Sequence, residues 1–317
     1  MKKNIYLALW ASFLGIYSSI AAWASNIPSN FIATPAGYVH PECINVLEDG
    51  EKINDDGTIL QKNGSNRSPV NCSYPKYMKN GTEIIEGTSL SDTVEHSWEA
   101  SLSNKIDENN GIIRFVGEWD VPQHPYLYEN QTLFAFNSIR THNSIIQPVL
   151  GFNQSGATGP QWSIASWAVV NGVPYKSQTI RVNSGDRIRG EMTREIPDGV
   201  APKTIKNWNV SISILKGDQE TQKQTLPVTL KDSSYTYLDN AAYETYRDRD
   251  IIECLYIAKQ KDLKPMAFTF TTTKVIWKNN TSGIGKDEKI IYDRDCNIQT
   301  SIEGLFLKTI YKIFYLP

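Results

Sequence analysis

Gln147 is the residue whose type and setting most invite chemistry. It lies in the apolar run "SIIQPVLGF" at 144–152, directly before Pro148. Proline removes a ladder donor and is normally kept out of central strands. A glutamine amide donates through its NH2 and accepts through its carbonyl at once. Held on a pleated surface it can orient a water or a carbonyl, and on an edge strand it would merely bond a loop. The usual catalytic machinery is missing. The sequence has no G-x-S-x-G elbow, no H-E-x-x-H, no phosphate loop and no dinucleotide glycine fingerprint. Its four histidines, His40, His96, His124 and His142, come from separate segments, and His142 is close to Ser138 and Ser144 in sequence only, which does not make a triad. What remains is a carboxylate paired with an amide or a second carboxylate. One group deprotonates a water while the other orients it and stabilises the oxyanion.

Other side chains can serve such a site. Trp162 and Trp167, in "WSIASWAVV", each combine a large apolar face with a polar N–H, which suits a core or a cleft holding peptide or sugar. Asn137 follows "LFAF" and reads as a strand-end or turn residue, with a substrate contact as the alternative. Glu118 and Asp120 flank Trp119, and alternation puts both acids on the face opposite the indole. No cofactor is implied. Close-spaced Cys or His pairs of the kind that hold a metal are absent from the sequence.

The elements that must position these groups are β-strands. From about residue 110, short runs rich in Val, Ile, Thr and aromatics are separated by Gly, Asn, Asp and Pro. "WNVSISIL" alternates, with Val210, Ile212 and Ile214 against Ser211 and Ser213, so one face is buried. "VNSGDRI" reads as a Gly-Asp hairpin. No helix-sized pattern intervenes between strands, so the expected fold is all-β, an antiparallel two-sheet sandwich of the jelly-roll, concanavalin-like kind. Residues 25–105 are rich in Gly, Asn, Asp and Ser and form a loop-rich, disulfide-stapled, propeptide-like segment before the sandwich at 106–317. Within it, "SDTVEHSWEASLSNKI" can hold one short helix.

Residues 1–24 have the layout of a secretory signal peptide: Lys2 and Lys3, an apolar run, and Ala22-Trp23-Ala24 before Ser25. A secreted protein, extracellular or periplasmic, is therefore expected, with no stable membrane insertion after cleavage. Cys43, Cys72, Cys254 and Cys296 then favour two disulfides. Three pairings exist, of which Cys43–Cys72 and Cys254–Cys296 close the shortest loops. The net charge of −2 offers no surplus for neutralising phosphates, so nucleic acid is not an expected partner.

The β region resembles the glutamic peptidases of the eqolisin type, and more loosely those of the neprosin type. "FVGEWDVP" at 115–122 is similar to the strand that opens the eqolisin domain, and "SIIQPVLGF" to its Gln-bearing strand. "SIASWAVV" at 163–170, "VNSGDRIRGEM" at 182–192 and "NAAYETY" at 240–246 resemble the Trp-rich strand, the Gly-Asp hairpin and the glutamate-bearing strand. "PAGYVHPEC" at 35–43 is similar instead to uncharacterised, mainly fungal secreted proteins. The resemblance implies a hydrolase acting on polypeptide in acid conditions, with Glu244 as general base or acid and Gln147 positioning the water. Two departures accompany it. The family's glutamine falls nearer His142, and Ala242 takes the acidic position, with Glu244 two residues on and on the same face. The alternative is a binder of glycan or peptide in a cleft lined by Trp162 and Trp167. One condition separates the two: hydrolysis needs Gln147 and Glu244 on one face, close enough to share a water.

Overall fold

The computed structural model describes residues 27–79, 81–85, 99–107, 111–125, 128, 130–154, 159–201, 204–231, 235–245, 267–277, 284–292, 298–303 and 309–315. The expected signal peptide, Cys254 and Cys296 lie outside them. So does the first half of the expected helix, whose second half is a strand instead. Ala100, Leu102 and Ile106 recur at even spacing, the period of a strand rather than of a helix.

The first described elements are a hairpin of β1 (Ile32–Thr34) and β2 (Gly37–Val39), then a short 3-10 turn at Pro41–Cys43. Four short strands follow: β3 (Asn45–Val46), β4 (Lys52–Ile53), β5 (Ile59–Leu60) and β6 (Asn66–Arg67). Next come β7 (Glu99–Asp107), β8 (Ile112–Asp120), β9 (Thr132–Arg140), β10 (Ser144–Phe152) and β11 (Trp162–Val170). After these run β12 (Val173–Lys176), β13 (Ile180–Arg181), β14 (Arg187–Thr193), β15 (Asn207–Lys216), β16 (Gln219–Thr229) and β17 (Tyr235–Thr245). The last described strands are β18 (Ala267–Trp277), β19 (Ile284–Tyr292), β20 (Ile298–Glu303) and β21 (Thr309–Tyr315).

Two sheets stack as a sandwich. The nine-stranded sheet runs β19-β7-β17-β9-β10-β11-β12-β3, with β13 on β11, and the ten-stranded sheet runs β20-β21-β18-β8-β14-β15-β16-β4-β5-β6. Between them lie Leu133, Ala135, Leu150, Phe152, Trp162, Ile164 and Ala242 of the first sheet, packed on Trp119, Ile188, Ile212 and Ile214 of the second. Phe115, Met192, Val210 and Leu226 extend this core against Ile139, Ile146 and Ala168. The alternation of "WNVSISIL" is thus real: Val210 and Ile212 point inward. Glu118 faces away from Trp119's core and is held by Arg187 and Arg189 at 2.8 and 2.7 Å.

The Gly-Asp turn at 183–186 forms, with the Asn183 N–H donating to the Asp186 carboxylate at 2.8 Å. It makes no hairpin, because its flanking strands β13 and β14 belong to different sheets. Val121 holds the corner by exchanging backbone bonds with Asp186 and Gly185.

Pro148 sits mid-strand in β10, flanked by β9 and β11. The ladder to β11 is continuous through Pro148–Ser166, whereas the ladder to β9 skips from Ile146–Ile139 to Val149–Phe136. The missing N–H therefore interrupts one side only. The pyrrolidine ring points into the sandwich, where Gly190 faces it across the gap. A Cβ on Gly190 would meet Pro148 Cγ at 2.6 Å, Asn137 Oδ1 at 2.7 Å and Trp119 at 2.8 Å. Its register partner is a second glycine, Gly117. Gly190→Ala is expected to destabilise the fold by about 1–3 kcal/mol through overpacking, read as a lower urea midpoint; an unchanged midpoint would show that Pro148 and Asn137 can move aside.

The N-terminal segment has two parts. One plugs the open edge of the sandwich: β3 pairs parallel with β12, β4 pairs parallel with β16, and Ile53 and Ile59 enter the core fully buried. The other lies over the far side of the nine-stranded sheet. There Phe31, Ala33, Tyr38, Val39, Ile44 and Tyr77 pack on Phe134, Phe136, Val149, Ala165, Trp167, Ala241 and Tyr243. The two halves of this cap, residues 27–43 and 72–85, are joined by the Cys43–Cys72 disulfide, the expected local pairing at that end of the chain.

Candidate functional site

Side chains alternate along each strand, so the two core layers assign every residue of the nine-stranded sheet to a face. In β10, Ile146 and Leu150 point between the sheets and Val149 points outward under the cap. Gln147 therefore faces outward. In β11, Trp162 points inward and Trp167 outward. In β17, Leu238 and Ala242 point inward and Tyr243 outward, and the unbroken register to β9 carries Glu244 inward with them. Asn137 is inward too, its Nδ2 donating to the Gly190 carbonyl at 3.4 Å.

The expected cleft is thus divided by the sheet itself. Gln147 and Trp167 occupy one face, while Glu244, Asn137 and Trp162 occupy the other. Glu244 also lies five residues along β17 from Asp239, the residue level with Gln147, which is on the order of 16 Å. Gln147 and Glu244 cannot share a water, and contrary to expectation they do not form a hydrolytic couple. Trp162 is a core aromatic, its ring 5.3 Å from that of Phe152 and its Nε1 donating to the Gln123 carbonyl at 3.3 Å. It does not line a surface with Trp167.

The outward face brings together a different set. Continuing the register of the flanking pairs places Gln147 opposite Ser138, which pairs with Asp239 of β17. On the other side Gln147 pairs with Trp167, and Trp167 with Lys176 of β12. One row thus runs Asp239, Ser138, Gln147, Trp167, Lys176. Asp239 is fully engaged. Ser103 Oγ and Arg140 Nη2 donate to its Oδ1, and Ser138 Oγ and Arg140 Nε to its Oδ2, the latter two both at 3.2 Å. Four donors occupy the four acceptor positions that a carboxylate offers. Trp167 donates through Nε1 to Gln154 Oε1 at 3.3 Å, and Gln154 folds over Gly151 to donate to Ser163.

Gln147 stands apart from these satisfied neighbours. Its side chain is completely buried, and neither its oxygen nor its nitrogen has a hydrogen-bond partner. An amide left in this state costs about 1–3 kcal/mol for each unsatisfied group, so a structural role does not account for it. Gln147→Met keeps the shape and removes the polar atoms. It is expected to raise stability by about 1 kcal/mol or more in urea denaturation, and a loss of stability would show that the amide is supporting the fold.

Lys176 ends the row, its ammonium 5.5 Å from the Trp167 ring centroid and donating to Thr179 Oγ1 at 2.8 Å. Burial pushes its basicity down to about 8. The folded state then holds fewer protons than the unfolded chain between about pH 8 and the ordinary lysine range. Stability contributed by this group must rise with pH from about 8 upward. The neighbouring Tyr175 hydroxyl, pushed up to about 12 by burial and by the Asp56 charge, works the other way above about pH 10. A rise in the urea midpoint between pH 8 and 10 that vanishes in Lys176→Met is the expected result.

Sequence reasoning missed Asp239, Ser138 and Lys176. The signal available was parity: Asp239 shares its phase with Ala241 and Tyr243, and a strand reading of "LDNAAYET" carried from its outward members would have selected it rather than Glu244.

The fold and the site define an all-β sandwich with a polar row on a covered sheet face. No family model and no curated protein matches the sequence. Among solved structures the chain is similar to scytalido-glutamic peptidase with a transition state analog inhibitor, at 14% identity and TM-score 0.41, covering 71% of this chain and 100% of that one. It is similar likewise to SCP-B, a member of the eqolisin family in a complex with the tripeptide Ala-Ile-His, at 15% identity, TM-score 0.42 and the same coverage. A Bacillus licheniformis beta-glucanase aligns at 8% identity and TM-score 0.26, covering 70% of this chain and 92% of that one. Likenesses of this degree carry no chemistry to this chain. Among the described residues no group of His, Cys, Asp and Glu could hold a metal ion, and no helix is long and apolar enough to cross a membrane.

Proposed function

We propose that this protein binds extended polypeptide against the outward face of its nine-stranded sheet, with Gln147 as the anchor for the bound main chain. The observation that carries the reading is the buried Gln147 amide, whose donor and acceptor are both without partners. A glutamine side chain presents the same N–H and C=O as a peptide group, so it pairs naturally with one. Around it Phe136, Val149, Trp167 and Tyr243 form an apolar floor suited to side chains. The material now packed there is itself polypeptide, which favours peptide over glycan. The Cys43–Cys72 disulfide is in keeping with an oxidising compartment, and a secreted location is part of the proposal.

A second reading, hydrolysis of the bound peptide, draws on one further observation. Asp239 lies in the same row as Gln147 with only the small Ser138 between them. The spacing is two strands, about 10 Å, and Arg140 would have to release the carboxylate before it could take a proton from water. Binding therefore leads.

The test is anisotropy of a labelled, reduced and carboxymethylated polypeptide, with the mixture followed by mass spectrometry from pH 3 to 7. Gln147→Ala is expected to weaken binding at least tenfold, and Glu244→Gln to leave it unchanged. Binding that is indifferent to Gln147→Ala would sink the proposal. Cleavage that disappears in Asp239→Asn would put the second reading first.

A further inference from the structure

The N-terminal segment treats the two faces of the nine-stranded sheet differently. Residues 45–67 are built into the sandwich through parallel strand pairing and two fully buried isoleucines. The described cap residues, 27–43, 72–79 and 81–85, add no strand to that sheet; their own pairing includes the β1–β2 hairpin, the exchange of bonds between Tyr38 and Tyr77 at 2.8 and 3.0 Å, and a bridge between Tyr77 and Glu83. It meets the outward face through apolar side chains and a few side-chain bonds. Tyr38 Oη lies 2.7 Å from Thr245 Oγ1, and Tyr243 Oη donates to the Thr34 carbonyl at 3.1 Å. Lys79 pairs with Glu99 at 3.4 Å and sits 3.9 Å above the Tyr243 ring. Lifting the cap would break none of the backbone ladder of either sheet. It would uncover Trp167, Tyr243 and Gln147 together.

The cap is also closed on itself. Cys43 and Cys72 join its outgoing and returning halves across the 29-residue separation that contains the edge plug. His40 stacks on Tyr74 at 3.7 Å beside that bond, and Phe31 meets Tyr77 edge-on at 5.4 Å. The disulfide holds the two halves together, so both must leave the sheet at once for it to open.

We infer that the cap is an intramolecular occupant of the peptide-binding face, latched by Cys43–Cys72, and that external polypeptide binds by displacing it. This inference rests on the binding reading above and adds its regulation: access to Gln147 is set by one disulfide, which a dithiol reductant opens to two thiols while itself being oxidised to a disulfide. Occupancy by a tethered segment lowers apparent affinity by the fraction of molecules in which the face is open.

The experiment compares the full chain with the double variant Cys43→Ser, Cys72→Ser and, separately, Tyr77→Ala, which loosens the cap without touching the sandwich core. Deuterium exchange reports the cap amides at 31–39 and 74–84 against strands 112–120 and 207–216, and anisotropy reports the same labelled polypeptide. Cap amides exchanging at least tenfold faster, sandwich strands unchanged and affinity at least tenfold tighter is the expected result. Faster cap exchange with unchanged, measurable affinity overturns the inference while leaving the binding reading intact. A cap equally protected in both variants also overturns it. If no form binds, the loosened ones included, the binding reading fails and takes the inference with it.

Discussion

Strands β9, β10 and β11 have no wet side, and everything else in the structure answers to that constraint. Their inner faces meet the ten-stranded sheet and their outer faces meet the cap. A strand buried on both sides cannot alternate polar with apolar residues, so "LFAF" reads as an unbroken apolar run and "WSIASWAVV" is interrupted only by two small serines. The same burial makes every polar atom on them costly unless it is paired. Small residues become structural tools at such a site. Gly117 and Gly190 leave room in one sheet for Pro148 and Asn137 to press in from the other. The proline that looked anomalous is thereby seated in a gap shaped for it.

Under that constraint the polar residues of the outward row sort themselves chemically. Asp239 answers burial with a complete set of donors, from Ser103, Ser138 and Arg140. Lys176 answers it partly, with a hydroxyl partner and a depressed basicity. Gln147 does not answer it at all. Departures from polar satisfaction in an otherwise consistent fold are where function is to be sought. The saturation of Asp239 is equally informative, because a carboxylate with every acceptor position filled is a poor general base. The two neighbours therefore point to different roles, one as scaffold and one as recognition group.

Much of the fold was legible in the residues. The strand content and the two-sheet architecture follow from β-branched runs and turn residues, and Cys43–Cys72 is the pairing that closes the shortest loop at its end of the chain. The site was legible only in part. Gln147 stood out because an amide beside a proline in an apolar run is chemically conspicuous. Glu244 was selected by likeness and by counting two residues from Ala242, which fixes its face relative to Ala242 but not relative to Gln147. The facing of Glu244 relative to Gln147, 97 positions earlier (244 − 147), depends on register, and no local pattern encodes it. The N-terminal segment misled for a related reason. Its turns at 54–58 and 61–65 look like loose loops, yet Ile53 and Ile59, each directly beside the first of them, are among the most buried residues.

The parallel pairings that tie β3 to β12 and β4 to β16 have a consequence for how the chain comes to be folded. Val228 and Ile53, a register pair, are separated by most of the sandwich sequence. The residues made first must therefore wait for partners made far later, and a contact of that separation pays a large closure entropy before it is rewarded. Until β16 is in place, Ile53 and Ile59 have no core to enter, and the sandwich has an open edge of unpaired strand. Open edges of this kind are where chains pair with the wrong neighbour. The N-terminal plug thus covers edges at β12 and β16 that are otherwise unpaired.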